Sequence, residues 1–410
     1  MAACLSLASS TRAGGAGALY RLAFVAFALL GVLGGRAMAQ AEPPAIGAPQ
    51  GILIDYDSGT VLFERAADTA TPPASLAKLM TMAVVFRALS EEHLKLEDEL
   101  TVSEYAWRKG GAPSGGSAMF AALNSRVRVG DLMRGVIIQS GNDAAIVLAE
   151  GMAGNELSFS AKMNEEAKTI GLTNSSFRNS NGLPDPDNKT TARDMARLAM
   201  HIIRTYPQYY AIYSERDFTW NKIRQSNRNP LLGMSLGADG LKTGFLKEAG
   251  YNLVGSAVQN GQRLVVVIMG AKSDKERAED ARKLLEWGFR AFESRLLFAQ
   301  GQIVGEAALH GGDRGGVPLT GTGPIRLLVA RGTGERVAAK IQYMGPVEAP
   351  VAKGTEIARL RISRSEQIAL DVPLVAAEDV PEGPIWRRAF DGAYELVVGW
   401  LRQGYAKLKG

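Results

Sequence analysis

Stretches with different hydrophobic rhythms follow one another along this chain. Residues 22–33 are almost unbroken apolar sequence, behind Arg12 and Arg21 and ahead of Ala37-Met38-Ala39. A positive start, an apolar run short for a bilayer span and a small-x-small site predict a secretory leader over residues 1–39. From Gly51 the rhythm is that of strands. Ile52-Leu53-Ile54-Asp55-Tyr56, a turn at Asp57-Ser58-Gly59 and Thr60-Val61-Leu62-Phe63 predict a hairpin. Thr71-Pro72-Pro73-Ala74 resists helix, because each proline fixes its own φ and biases its predecessor toward extended backbone. Residues 76–86 are then mostly apolar and free of Gly and Pro, which predicts a buried helix with Ser75 in its first turn. Residues 132–139 and 143–150 read as two apolar helices broken by Ser140-Gly141-Asn142, with Gly141 permitting the tight turn. Residues 251–258 and 263–269 are β-rich runs joined by Asn260-Gly261, a strong hairpin signal. A helix is predicted from about Lys275 to Phe298, with Leu284-Leu285 and Trp287 on it. Strands from both ends of residues 40–297, with helices inserted between, predict an α/β sandwich with a helical subdomain.

The texture then changes twice. Over residues 298–380 glycines cluster between Gly301 and Gly323, and strand-length runs follow at 325–329 and 357–362, the pattern of a small all-β domain. Over residues 384–410, Trp386, Phe390, Ala393, Val397, Trp400, Leu401, Tyr405 and Leu408 recur at helical spacing. Five basic residues there stand against Asp391 and Glu395. A basic amphipathic helix with tryptophans predicts anchoring at a membrane surface.

Charge and cysteine usage narrow the classes. The formal net charge of +5 falls to +2 once the leader and its Arg12, Arg21 and Arg36 are removed, so nothing points to nucleic acid. The leader also carries Cys4, the only cysteine, so an exported mature chain has no disulfides and relies on its core. There are three histidines, and no HExxH, CxxC or glycine-rich phosphate loop, so neither a metal nor another cofactor is expected.

Chemistry is carried by three short motifs in order: Ser75-Leu76-Ala77-Lys78, Ser140-Gly141-Asn142 and Lys242-Thr243-Gly244. Together they are the set of active-site-serine β-lactamases and penicillin-binding proteins. Lys78 lies one helical turn from Ser75, so its amine can reach the hydroxyl, and apolar surroundings lower a lysine pKa into the range of a base. The helix N-terminus favours negative charge at Ser75. Ser140 can relay a proton to a leaving group, and Asn142 can bond a substrate amide. Lys242 and Thr243 offer charge and a hydroxyl for a carboxylate, and Gly244 leaves room for close approach. An edge strand there would let a peptide lie alongside, with the N–H groups of Ser75 and Phe245 as oxyanion donors.

With these motifs, Pro73-Ala74-Ser75-Leu76-Ala77-Lys78-Leu79-Met80-Thr81, Ile137-Ile138-Gln139-Ser140-Gly141-Asn142-Asp143-Ala144 and Leu284-Leu285-Glu286-Trp287-Gly288-Phe289, the chain resembles the type-5-like low-molecular-mass penicillin-binding proteins, the serine-type D-alanyl-D-alanine carboxypeptidases of bacterial cell walls. The resemblance implies an α/β (α+β) fold of the β-lactamase/transpeptidase kind, with an antiparallel sheet flanked by helices, followed by a small all-β domain and a terminal amphipathic helix. It implies that Ser75 is acylated, Lys78 is the base, Ser140 and Asn142 line the cleft, and Lys242, Thr243, Gly244 and Phe245 hold the substrate. Arg277 falls where the family binds the terminal carboxylate. Phe245 departs from the histidine of some members. The implied substrates are peptidoglycan stem peptides ending in D-Ala-D-Ala, the inhibitors β-lactams, and the place of action the periplasmic side of the inner membrane. A serine β-lactamase, a D,D-endopeptidase or transpeptidase, and a non-catalytic tethered scaffold are the alternatives.

Overall fold

The computed structural model describes residues 42–331, 337–364 and 367–385. The leader and nearly all of the predicted amphipathic helix lie outside these residues. The predicted first hairpin is β1 (Gln50–Asp55) and β2 (Val61–Arg65). Then comes α1 (Ala77–Ser90), entered through one 3-10 turn over Ala74–Leu76. The helical region continues with β3 (Glu99–Thr101), α2 (Glu104–Gly110), β4 (Arg126–Arg128), α3 (Val129–Ile137) and α4 (Asn142–Ala153). After α5 (Glu156–Ile170), α6 (Ala192–Thr205) and the short α7 (Pro207–Tyr210) comes a small hairpin, β5 (Asp217–Trp220) and β6 (Ile223–Ser226). The chain then returns to the main sheet as β7 (Ala238–Leu246), β8 (Gly250–Gln259) and β9 (Gln262–Ala271), and closes with α8 (Asp274–Ala291).

The main sheet has the order β2-β1-β9-β8-β7, antiparallel throughout. Pairing of β1 with β9 joins the two ends of the domain and leaves β7 on an edge. Side chains alternate across a strand, and β9 shows why its run is apolar without a break. Leu264, Val266 and Ile268 pack with Leu284, Leu285 and Trp287 of α8. Val265, Val267 and Met269 pack into the helical core with Met80 and Met82 of α1. Asn260 and Gly261 both have positive φ, 52° and 76°, as the tight β8–β9 turn requires.

The predicted helix to Phe298 is corrected: α8 ends at Ala291, and residues 292–298 form β10 (Phe292–Phe298), paired with β13 (Ile325–Ala330). No Gly or Pro marks the change, and the pairing partner lies far along the chain. The other strands are β11 (Ile303–His310), β12 (Gly316–Gly321), β14 (Val337–Tyr343), β15 (Val347–Glu348), β16 (Glu356–Arg364) and β17 (Gln367–Ala376). Their sheet order is β14-β16-β17-β12-β11-β15, around a core that includes Val317, Leu319, Leu360 and Leu374. β13 links the two cores, since Leu328 and Ala330 pack with Trp287 while Leu327 and Val329 face the β core.

Candidate active site

Ser75 stands at the mouth of α1, in the turn that follows Pro72-Pro73. Lys78 has no exposed surface, and its Nζ lies 3.1 Å from Ser75 Oγ, 2.7 Å from Asn142 Oδ1 and 2.6 Å from the carbonyl oxygen of Asn181. Burial lowers the Lys78 pKa from 10.5 to about 7; the charge of Arg228 pushes the same way, while Asp143 and Glu156 push back. A neutral amine has two N–H bonds and one lone pair. With Asn142 and Asn181 accepting the two N–H groups, the lone pair is left for the Ser75 proton.

The Ser140-Gly141-Asn142 break differs from expectation in one detail. The left-handed residue is Ser140, at φ 60°, whereas Gly141 has φ −56°. Gly141 is required for space, since a Cβ there would stand 2.9 Å from Asp143 Oδ1 and 3.0 Å from Met119 N. Asn142 opens α4, and its N–H donates to the carbonyl of Ser117 at 2.7 Å. Buried Asp143 accepts from the N–H groups of Met119 (2.8 Å) and Ala121 (3.1 Å), which fastens the loop carrying Ser117.

The third wall is β7, an edge strand of the main sheet. A Cβ on Gly244 would come within 3.2 Å of the amide nitrogens of Ser75 and Leu76, so any side chain there would push β7 and the serine turn apart by a few tenths of an ångström. Gly182 does the same from the other side: its φ is 80°, and a Cβ would overlap the carbonyl oxygen of Ala74. Lys242 is paired across the strands with Val254, which belongs to the core around α1. It is buried, and its Nζ donates to the Thr243 carbonyl at 3.2 Å. Burial, then the charges of Lys78, Arg228 and Arg277, hold its pKa well below the ordinary value. Phe245 is half exposed and packs against its cross-strand partner Tyr251, ring centroids 4.4 Å apart and planes tilted by 34°. Arg277, on α8, lies with its guanidinium carbon 5.7 Å from the Tyr251 ring centroid and donates to the Asn252 carbonyl (3.3 Å) and to Asp274.

These walls enclose a cleft of about 500 Å³ lined by Ser75, Ser140, Thr243, Gly244, Phe245 and Arg277, together with Ser117, Arg228, Tyr251 and Asp274. A serine hydroxyl, an amine aimed at it and cations on the far wall suit acyl transfer on a substrate with a carboxylate end. A family model described as D-alanyl-D-alanine carboxypeptidase matches residues 37–273, and one described as penicillin-binding protein 5, C-terminal domain, matches residues 292–382. The chain belongs to the D-alanyl-D-alanine carboxypeptidase family. It is 42% identical over 353 residues to the D-alanyl-D-alanine carboxypeptidase DacC of Escherichia coli K12, covering 85% of this chain and 88% of that protein. It is 39% identical over 360 residues to DacA of Haemophilus influenzae, covering 87% and 91%. Among solved structures, penicillin binding protein 5 from Haemophilus influenzae superposes with a TM-score of 0.73 at 39% identity, over 83% of this chain and 99% of that one. The expected fold class and serine-type carboxypeptidase activity follow from this membership.

The structure also brings to the site two residues that the motifs did not reveal. Asn181 offers only its backbone carbonyl, and the polar run Asn179-Ser180-Asn181-Gly182 is the sole hint of a turn there. Arg228 donates to Ser117 Oγ at 2.8 Å and faces the cleft, but it follows β6 with no motif around it.

Proposed function

We propose that the D-Ala-D-Ala carboxypeptidase reaction of this chain runs through an acyl-enzyme on Ser75, with Lys78 as the base. The observation that carries this is the fully buried Lys78 amine, placed between Ser75 Oγ, Asn142 Oδ1 and the Asn181 carbonyl. Ser75 Oγ attacks the carbonyl carbon of the penultimate D-alanine of a peptidoglycan stem peptide, and its proton passes to Lys78 Nζ. The oxyanion sits between the N–H groups of Ser75 and Phe245, a position favoured by the close approach of Gly244 to the serine turn. As the C–N bond breaks, Ser140 relays the proton from Lys78 to the leaving amine. Lys242, Thr243 and Arg277 hold the carboxylate end of the departing D-alanine. Water then takes the place of that amine and releases the shortened peptide. β-Lactams acylate the same hydroxyl, and their tethered leaving group slows the second step.

The protein is exported by the leader over residues 1–39 and acts at the periplasmic face of the inner membrane, where residues 384–410 lie on the surface. The support is the sequence pattern of both segments. Among the described residues no helix is long and apolar enough to cross a membrane. Intact mass after mixing with benzylpenicillin, followed beside Ser75→Ala, tests the assignment. A lasting adduct on the native protein alone is expected; an adduct on both proteins overturns Ser75 as the nucleophile. Rapid drug loss without an adduct indicates a β-lactamase.

A further inference from the structure

We propose that Glu156 is a positioning residue for the acylation step, acting on Lys78 through the turn Asn179–Gly182. The inference rests on Lys78 being the base. Glu156 opens α5, where a carboxylate suits the helix N-terminus, and it follows the capping residue Asn155. Its Oε1 accepts from Ser180 Oγ at 2.6 Å, Ser180 N at 3.1 Å and Asn181 Nδ2 at 3.4 Å, while its Oε2 accepts from Tyr105 Oη at 3.1 Å. Ser180 and Asn181 are themselves buried. Their two carbonyls point the other way, onto α1: that of Ser180 accepts from Thr81 Oγ1 at 2.6 Å and that of Asn181 from Lys78 Nζ at 2.6 Å. One carboxylate therefore grips the side of the turn that faces away from the nucleophile. The turn in turn presents one of the two acceptors that orient the Lys78 lone pair. Gly182, pressed against the Ala74 carbonyl, sets how close the turn can come. Nothing in the motif set requires Glu156, which neither lines the cleft nor bonds Lys78 directly.

The test is the rate of acylation by a fluorescent penicillin, measured from pH 5 to 9 on the intact protein. Glu156→Ala leaves Ser180 and the Asn181 amide without their carboxylate acceptor, so that only the α1 side of the turn is held, and its acylation is expected to slow by about tenfold to a hundredfold, the scale of an ångström-sized misplacement. Glu156→Gln keeps one acceptor oxygen for the turn, without the charge. It is expected to restore the rate above pH 8 to within about threefold, with the acid limb moved to lower pH, because a negative charge that favours protonated Lys78 is gone. Ser180→Ala, which removes only the 2.6 Å bond, is expected to fall between the two. It keeps the test decisive should Glu156→Ala fail to fold by circular dichroism. Lys78→Gln is the control for the underlying reading. If Lys78→Gln acylates normally, the base is misassigned. If Lys78→Gln is dead while folded Glu156→Ala or Ser180→Ala matches the native rate and pH profile, the positioning role alone is overturned.

Discussion

The pH dependence of acylation follows from the environment of one amine. Lys78 must be neutral to take the Ser75 proton, and its burial brings the pKa from 10.5 to about 7. Below that value the neutral fraction falls tenfold per pH unit, so acylation at pH 5 should run at about a hundredth of the plateau reached above pH 8. The same environment supplies a second perturbation. Arg228 is the largest charge effect lowering the Lys78 pKa, so Arg228→Gln should raise the midpoint, while Asp143 and Glu156 act in the opposite sense. The assay is stopped-flow acylation by a penicillin at saturating drug, fitted for the limiting rate at each pH. Saturation matters because Arg228 lines the cleft and its loss also changes binding. A flat profile between pH 5 and 9, a midpoint near 10, or a midpoint unmoved in Arg228→Gln would refute the reasoning.

Lys78 also shapes stability. The folded state holds a neutral amine where the unfolded chain holds a charged one, so the unfolded state binds the extra proton between about pH 7 and 10.5. The destabilisation is full below the folded value and is relieved as pH rises. Urea unfolding should therefore show the native protein gaining up to about 4 kcal/mol between pH 7 and 10 relative to Lys78→Met; equal pH slopes would contradict this. Gly244→Ala places a Cβ 3.2 Å from the amides of Ser75 and Leu76, and should cut acylation by about tenfold or more while the melting temperature changes little. Arg277→Gln should raise KM for peptides ending in a free carboxylate by about ten- to a hundredfold, with a smaller effect on the corresponding carboxamides; equal effects on both would remove the carboxylate contact. Asp143→Ala strands the buried N–H groups of Met119 and Ala121 and should cost roughly 2–5 kcal/mol in chemical unfolding.

What could be read from the chain was whatever local pattern determines. The β1–β2 hairpin and the Asn260-Gly261 turn with its two flanking strands declared themselves through period and turn chemistry. So did the all-round apolar α1. The remainder depends on pieces that meet only in the fold. The Asn181 carbonyl reaches Lys78 across 103 positions, and a backbone group leaves no trace in residue identity. Arg228 and Glu156 are common residue types whose placement is tertiary. The end of α8 at Ala291 was hidden because a strand partner beyond residue 324, rather than a local breaker, ends it. At the Ser140-Gly141 turn the sequence pointed to the right pair and the wrong member. Glycine is needed there for its missing Cβ, and the serine takes the left-handed backbone.

Ser-x-x-Lys is a common spacing that is seldom catalytic, and the fold explains why it can be so here. On an amphipathic surface helix a lysine three residues after a serine keeps its hydration and its charge, and near neutral pH it has no lone pair to offer. α1 has no such polar face: Leu79, Met80, Met82, Val85 and Phe86 are fully packed around it, against the sheet on one side and the helical region on the other. The helix cannot turn its lysine to water without exposing that core. Each fully buried side chain of this size is worth about 1.5–3 kcal/mol, so several of them together exceed the roughly 5 kcal/mol that keeping the Lys78 amine neutral requires. The base is thus a property of the core as much as of the motif. The Asn142 and Asn181 oxygens then decide where its lone pair points.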